Sequence, residues 1–303
     1  RVGRVRVAGS LWYAADMRNG ALSGTGVGPV GTMRDADQGS LGVRARAGFL
    51  SRLRRIATGE PAEAIFARMR ALPFVAPEAL LGAGAPLILA PHPDDESLGC
   101  GGLIAACCAM GRPPIVVVLT DGARSHPGSA AFPPARLVAL RAAETRAAAA
   151  ALGLTPSRLH FMGLPDGEVP RSGPAMEDAA AALAAIARRA GVGTILGTWE
   201  HDPHADHVAA HVIASRAAAL AGARLLSYPV WGWALPPRRR LHVGAIAGAR
   251  IDITAQLPAK RRAIAAHASQ HGAVVADDPR GFRLPSTLLA ALDQPFEVFL
   301  FPR

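Results

Sequence analysis

The sequence predicts an α/β fold with a Rossmann-like, mostly parallel sheet and helices on both faces. Three observations predict it. Short, continuous apolar runs at residues 86–90 (PLILA) and 115–120 (IVVVLT) have the length and composition of strands buried on both sides. Alanine-rich stretches of helical length alternate with such runs through most of the chain. The densest ionisable clusters, residues 92–96 and 200–207, follow directly on apolar runs, at the carboxyl ends of strands, where a parallel sheet binds ligands.

Taken in order, residues 1–42 are rich in glycine and lack hydrophobic periodicity, the pattern of a disordered segment. Residues 43–83 place Leu53, Ile56, Ile65, Phe66, Met69 and Leu72 among Arg and Glu at broadly helical spacing. This reads as an amphipathic helical extension, broken around Gly59-Glu60-Pro61. The α/β unit then occupies 84–303. Its first strand, 86–90, ends at Pro91 and Pro93, which cannot donate to a ladder. A small-residue helix follows to Met110. Strand 115–120 stops at Asp121-Gly122, and helix 134–152 is closed by Gly153. Strand 159–164 leads into Pro165-Asp166-Gly167, and helix 176–190 is stopped by Gly191. Strand 194–199 delivers the second ionisable cluster, with a helix over 208–221 behind it. Residues 225–233 read as a strand with an aromatic loop, 250–254 as a strand, 256–268 as a helix and 296–301 as a closing strand.

Composition narrows the function. The net charge of +10 is uneven: residues 1–70 carry 12 Arg against 5 acids, whereas the rest carries 21 basic residues against 18 acids. The α/β unit is thus nearly neutral, and no nucleic-acid motif accompanies the excess, which argues against nucleic acid as a partner. Cys100, Cys107 and Cys108 lie within nine residues of one another and read as reduced thiols, neither a disulfide framework nor a zinc finger. No apolar run reaches the roughly 18–20 residues of a membrane span. The first fifteen residues have too short an apolar core for a signal peptide, so the expected localisation is cytoplasmic. A homo-oligomer is left open.

The chemistry sits in two motifs. Ala90-Pro91-His92-Pro93-Asp94-Asp95-Glu96 resembles the signature of the LmbE-like, or PIG-L, family of zinc-dependent N-deacetylases, and His204-Ala205-Asp206-His207 resembles that family's H-x-D-H motif. Weaker echoes fall at 140–144, 163–167 and 260–270, so the resemblance covers about 84–303. It implies the α/β deacetylase fold and an enzyme that removes acetyl from an N-acetylated sugar, such as an N-acetylglucosaminyl conjugate. Two alternatives remain: a deacylase of another N-acyl amine, such as a glycopeptide or thiol-cofactor precursor, and a non-catalytic metal- or sugar-binding protein on the same scaffold.

Spacing and resemblance agree on the residues. His92 and Asp95, three apart in a turn, can converge on one ion while Asp94 points elsewhere, and His207 supplies a third ligand. Two His and one carboxylate suit Zn2+, and Fe2+ as well. Asp94 is then the general base. His204, one helical turn before His207, would face the same cleft as an imidazolium, stabilising the oxyanion and protonating the amine, with Asp206 orienting it. Glu96 is expected either to support the ligands from behind or to sit at the helix entry. The resemblance further assigns Arg141 and Asp166 to substrate binding. Tyr228, Trp231 and Trp233 are candidates either for an apolar sugar-stacking wall or for core packing. Asp202 stands where some sugar deacetylases have a tyrosine that polarises the carbonyl. His201 and His211 do not form a zincin helix, because Val208 follows His207. Gly99-Cys100-Gly101-Gly102 is not a dinucleotide fingerprint, because Ile104 occupies the place of its last glycine.

Overall fold

The computed structural model describes residues 59–302. The segment expected to be disordered, 1–42, and the first part of the helical extension lie outside the described residues. The described chain runs β1 (Glu60–Pro61), α1 (Ala62–Arg70), α2 (Pro77–Leu81), β2 (Pro86–Ala90), α3 (Asp95–Ala109), β3 (Ile115–Thr120), α4 (Pro134–Ala151), β4 (Leu159–Leu164), α5 (Gly173–Arg189), β5 (Thr194–Thr198), α6 (Ala205–Ala221), β6 (Arg224–Tyr228), β7 (Arg240–Leu241), β8 (Gly248–Asp252), α7 (Leu257–Ala266), α8 (Ser286–Leu292) and β9 (Phe296–Leu300). None of the described helices is long and apolar enough to cross a membrane.

Seven strands form one sheet in the order β4-β3-β2-β5-β6-β9-β8. The first five are parallel; β9 runs antiparallel to both β6 and β8. Strands β2 and β3 are joined in one direction and β5 is added on the other side of β2. The order therefore reverses at β2 and β5, and the crevice beyond their carboxyl ends is the place such sheets offer a ligand. The loops leaving these two strands carry residues 91–94 and 199–204.

Alternation within the apolar runs explains why they are strands. Leu87 and Leu89 of β2 join Val117, Leu119 and Ile195 under α5 and α6, whereas Ile88 joins Val116, Leu196 and Leu226 under α3, α4 and α7. A strand buried on both faces needs this uninterrupted hydrophobicity. On one face, small residues let helices come close: a Cβ on Gly197 of β5 would stand 2.7 Å from Ala214 Cβ of α6. On the other, the glycines of α3 serve packing. A Cβ on Gly99 would meet the Tyr228 ring at 2.3 Å, and one on Gly102 would meet Ile253 at 2.5 Å.

Behind α3 lies a buried ion pair. Lys260 Nζ donates to Glu297 Oε1 at 2.8 Å, and the Glu297 carboxylate also accepts from Gly102 N and Leu103 N, each at 2.8 Å. The family-like motif at Lys260 thus has a structural role in this chain. Helix α1 packs Ala62, Ile65, Phe66 and Met69 against Trp199, Val298 and Leu300, so the described part of the extension lies on the α/β unit. At the Gly59-Glu60-Pro61 position, residues Glu60–Pro61 form β1, which pairs with β7.

Boundaries differ from the sequence reading where the signal was weakest. Helix α5 begins three residues early, at Gly173. The strand expected at 250–254 is β8, 248–252, because Ala249 and Ile251 are the inward positions and Arg250 packs outward between Phe74 and Phe296. Helices α2 and α8 are too short for a periodic signal, although α2 has Pro77 at its start and Gly82 just past its end.

Candidate active site

Strand β2 ends in a turn in which Asp95 N donates to His92 O, and α3 starts at Asp95. Asp94 is the one non-glycine residue with positive φ among the described residues, at 146°. That conformation is strained for an L-residue and is held by partners on both sides. Asp94 N donates to Glu96 Oε2 at 3.2 Å, and Arg141 from α4 donates to Pro93 O at 2.7 Å and to Asp94 Oδ2 at 3.4 Å. His267 anchors the other side of Glu96, with Nε2 3.0 Å from Oε1. The strain aims the carboxylates of Asp94 and Asp95 in different directions, as the spacing argument requires.

Asp95 Oδ2 lies 3.1 Å from His92 Nδ1 and 3.1 Å from His207 Nε2. The other nitrogen of each ring rests on carboxylate. His92 Nε2 is 3.1 Å from Asp206 Oδ2 and 3.4 Å from Asp166 Oδ1, and His207 Nδ1 is 2.9 Å from Asp202 Oδ2. This is the pattern of metal-ligating histidines, whose free nitrogen is fixed by a carboxylate. Among the described residues seven buried side-chain atoms have no hydrogen-bond partner, and two of them are Asp95 Oδ1 and His207 Nε2. Orphaned polar atoms in a dry interior are costly, and here both belong to the expected ligand set. The donor set and these orphans fit a divalent cation.

Among the described residues, the triads whose ligand atoms all lie within 4.8 Å of one another are His92, His204 and His207, and His92, Asp166 and Asp206; Asp95 belongs to neither. The structure thus brings His92, Asp94, Asp95, Arg141, Asp166, His204, Asp206 and His207 to one place.

Electrostatics separate the roles. Burial pushes the Asp94 carboxyl up to about 7 against the pull of Arg141, with Asp95 adding to the rise. Burial acts the same way on Asp95, but the His207 and His92 rings overcome it and hold that group well below the usual carboxylate range. Burial would lower His92 and His207; the carboxylates around them win, raising His92 and bringing His207 to about 9. Asp166 is held at about 2 by His92 and the Arg124 N–H despite its burial. His204 is lowered by burial and by the neighbouring His92 and His207.

Two expectations need correction, and one open choice is decided. His204 is not set up as an imidazolium: besides its lowered affinity for a proton, its Nδ1 accepts from Asp206 N at 3.1 Å as the cap of α6. The neutral ring then carries its proton on Nε2 and is a donor. Asp206 does not orient His204 with its carboxylate, which is taken up by Gly167 N at 2.7 Å, Val169 N at 3.3 Å and His92. Tyr228 and Trp233 do not line the cleft. Tyr228 is buried, its hydroxyl donating to Leu89 O, and Trp233 packs on Phe66.

The cavity beside these residues measures about 300 Å³, the low end of small-molecule sites. His92, Asp94, Arg141, Asp166 and His204 line it, together with Trp231, Phe282, Ser125 and Gln270. Trp231 and Phe282 meet edge to face, 5.7 Å between centroids. Arg141 reaches the cavity while two of its nitrogens donate to Pro93 O and Gly122 O. Phe282 and the anchoring role of Asp202 escaped the sequence reading. Phe282 lies in an aperiodic loop, and Asp202 registered only as an absent tyrosine.

Comparison with known proteins bears on the family and the fold. Residues 87–218 match the family model described as PIG-L, GlcNAc-PI de-N-acetylase. A 1D-myo-inositol 2-acetamido-2-deoxy-alpha-D-glucopyranoside deacetylase of Actinosynnema mirum is 32% identical over 229 residues, covering 61% of this chain and 80% of that protein. A protein of the same name, numbered 2, from Catenulispora acidiphila is 36% identical over 159 residues, 45% of this chain. The chain spans about half, 51%, of that relative's length. Among solved structures, a conserved protein of Thermus thermophilus superposes with a TM-score of 0.53 at 26% identity, covering 73% of this chain and 95% of that one. A triple mutant of a deacetylase of teicoplanin biosynthesis gives 0.52 at 16% identity over 71% and 96%, a likeness of fold.

Proposed function

The chain belongs to the PIG-L, LmbE-like, family, and on that premise we propose that it is a metal-dependent N-deacetylase, zinc being the preferred ion, acting on an N-acetylglucosaminyl conjugate. The observation that carries this reading is Asp95 Oδ2 within 3.1 Å of both His92 Nδ1 and His207 Nε2, beside the strained Asp94. His92, Asp95 and His207 would hold the ion, which when bound supplies Lewis acidity at the amide carbonyl and lowers the pKa of the attacking water.

The chain's own groups do the rest. Asp94, a carboxyl poised near neutrality, takes the proton of the attacking water as its oxygen bonds to the acetyl carbon. His204 Nε2–H donates to the developing oxyanion, a role suited to a neutral ring whose Nδ1 is already occupied. The proton held by Asp94 passes to the nitrogen as the C–N bond breaks, giving acetate and the free amine. Asp166, Trp231 and Phe282 line the cavity in which the sugar would lie. The curated relatives named above are deacetylases of an N-acetylglucosaminyl inositol, which supports that substrate class.

Acetate release from N-acetylglucosaminyl inositol and from N,N'-diacetylchitobiose, with metal content measured on the same sample, tests this. Metal bound in about one equivalent, with turnover on one of the two, is the expected result. Metal without turnover on either substrate would move the reading to another N-acyl amine, and absence of metal binding would overturn it.

A further inference from the structure

Asp202 is buried, and its carboxylate collects four donors. Oδ2 lies 2.9 Å from His207 Nδ1 and accepts from Val230 N at 3.1 Å and Trp231 N at 3.2 Å; Oδ1 accepts from Gly232 N at 2.6 Å. Three successive amides of the turn after β6 are therefore gathered by one side chain from the loop after β5. That turn is tightly fitted: a Cβ on Gly232 would stand 2.8 Å from Asp202 Oδ1 and 2.9 Å from the Trp199 ring. The turn sets the backbone of Trp231, whose ring lines the cavity and meets Phe282 edge to face.

We propose that Asp202 is a positioning residue that couples His207 of the metal centre to the Trp231 wall of the substrate cavity, so that one carboxylate fixes both. The inference rests on the metal-centre reading above. On the His207 side, an acceptor at Nδ1 keeps the ring proton there and leaves Nε2, the nitrogen facing Asp95, free for an ion. On the other side, a carboxylate is the one side-chain group of this size that accepts four hydrogen bonds and offers no proton of its own. An asparagine of the same shape keeps one acceptor oxygen but turns an N–H₂ toward a backbone N–H. Either it releases part of the 230–232 turn or it loses His207. Coupling of this kind is reciprocal: what fixes the ion tightens the wall.

The test uses the full chain, stripped of metal by a chelator and titrated with zinc. Asp202→Asn should bind zinc 10- to 100-fold more weakly, the usual cost of losing the carboxylate behind a ligating histidine. It should also raise KM for the N-acetylglucosaminyl substrate at saturating zinc. Trp231→Ala should raise KM alone, leaving zinc affinity unchanged, which separates the wall from the ligand. Should Asp202→Asn not fold, the unmodified protein answers the question through amide exchange: zinc should slow exchange of Val230, Trp231 and Gly232 about tenfold. Parental zinc affinity in Asp202→Asn, or exchange at 230–232 indifferent to zinc, overturns the coupling. Failure of the unmodified protein to bind zinc overturns the metal centre and this inference with it, whereas zinc bound by the parent and equally by the variant overturns the inference alone.

Discussion

Replacing Asp94 by Asn keeps the size of the side chain, leaves the bond from Asp94 N to Glu96 intact, and removes the proton acceptor together with the charge beside Arg141. General acid–base catalysis contributes about 10²–10⁴ in rate, so kcat should fall by that factor, on the order of 3–5 kcal/mol of transition-state stabilisation. Metal content should not change, because the proposed ligands are His92, Asp95 and His207. Stability should move in the opposite direction from activity. A carboxyl raised by burial from its ordinary value near 4 to about 7 stabilises the fold below pH 4, and that contribution is lost as pH rises through 7. At 1.36 kcal/mol per unit the loss in the metal-free parent is at most about 4 kcal/mol. The asparagine variant escapes it, less what it forfeits by losing the charge beside Arg141. Urea unfolding of the two metal-free proteins at pH 5 and pH 8 should show the variant gaining on its parent at the higher pH. Asp95→Ala makes the contrast, losing metal and activity together. If Asp94→Asn loses its metal while Asp95→Ala keeps it, the roles given to the two carboxylates are reversed.

Other changes separate chemistry from scaffold. His204→Ala should retain metal and lose about 10²–10³ in kcat, the cost of one oxyanion donor, whereas His207→Ala should lose the metal; elemental analysis beside kinetics distinguishes them. Glu297→Ala strands Lys260 in the interior and should cost about 3–5 kcal/mol, read as a fall in unfolding midpoint. Gly102→Ala drives a methyl into Ile253 and should cost about 1–3 kcal/mol with kcat of the folded fraction unchanged. Zinc uptake at pH 7.5 should release about two protons, measured calorimetrically in buffers of different ionisation enthalpy.

Much of this was legible because two physical signals coincide in sequence. A strand buried on both faces must be apolar throughout, so PLILA and IVVVLT announce the central sheet, and the change of composition at Pro91 marks where its functional end lies. Ligands three apart in a turn, and two histidines three apart at a helix start, are local relations that spacing alone fixes. What spacing does not fix is which long-range partner a side chain finds. Asp206 follows His204 by two residues, yet its carboxylate spans more than a hundred residues of sequence to His92. Tyr228 and Trp231 are three apart, and one is buried on Gly99 while the other faces the cavity. The glycines of α3 were recognisable as exceptional, but only the position of Tyr228 and Ile253 shows that they make room for side chains and not for a phosphate.

The charge balance of the site connects these observations. Asp95, Asp166, Asp202 and Asp206 surround His92 and His207, and the structure in hand answers them with raised proton affinity on both rings. Two imidazolium protons carry the same charge as one divalent cation. The carboxylates that make the rings basic are therefore the ones that make the centre attractive to a metal, and the two states exclude each other at the nitrogens facing Asp95. Zinc affinity should accordingly rise with pH until the His207 ring, at about 9, is neutral without help, and the released protons should number near two below that point. A calorimetric slope near zero at pH 7.5 would mean that the rings were already neutral. The four carboxylates would then be balanced by something other than what the geometry indicates.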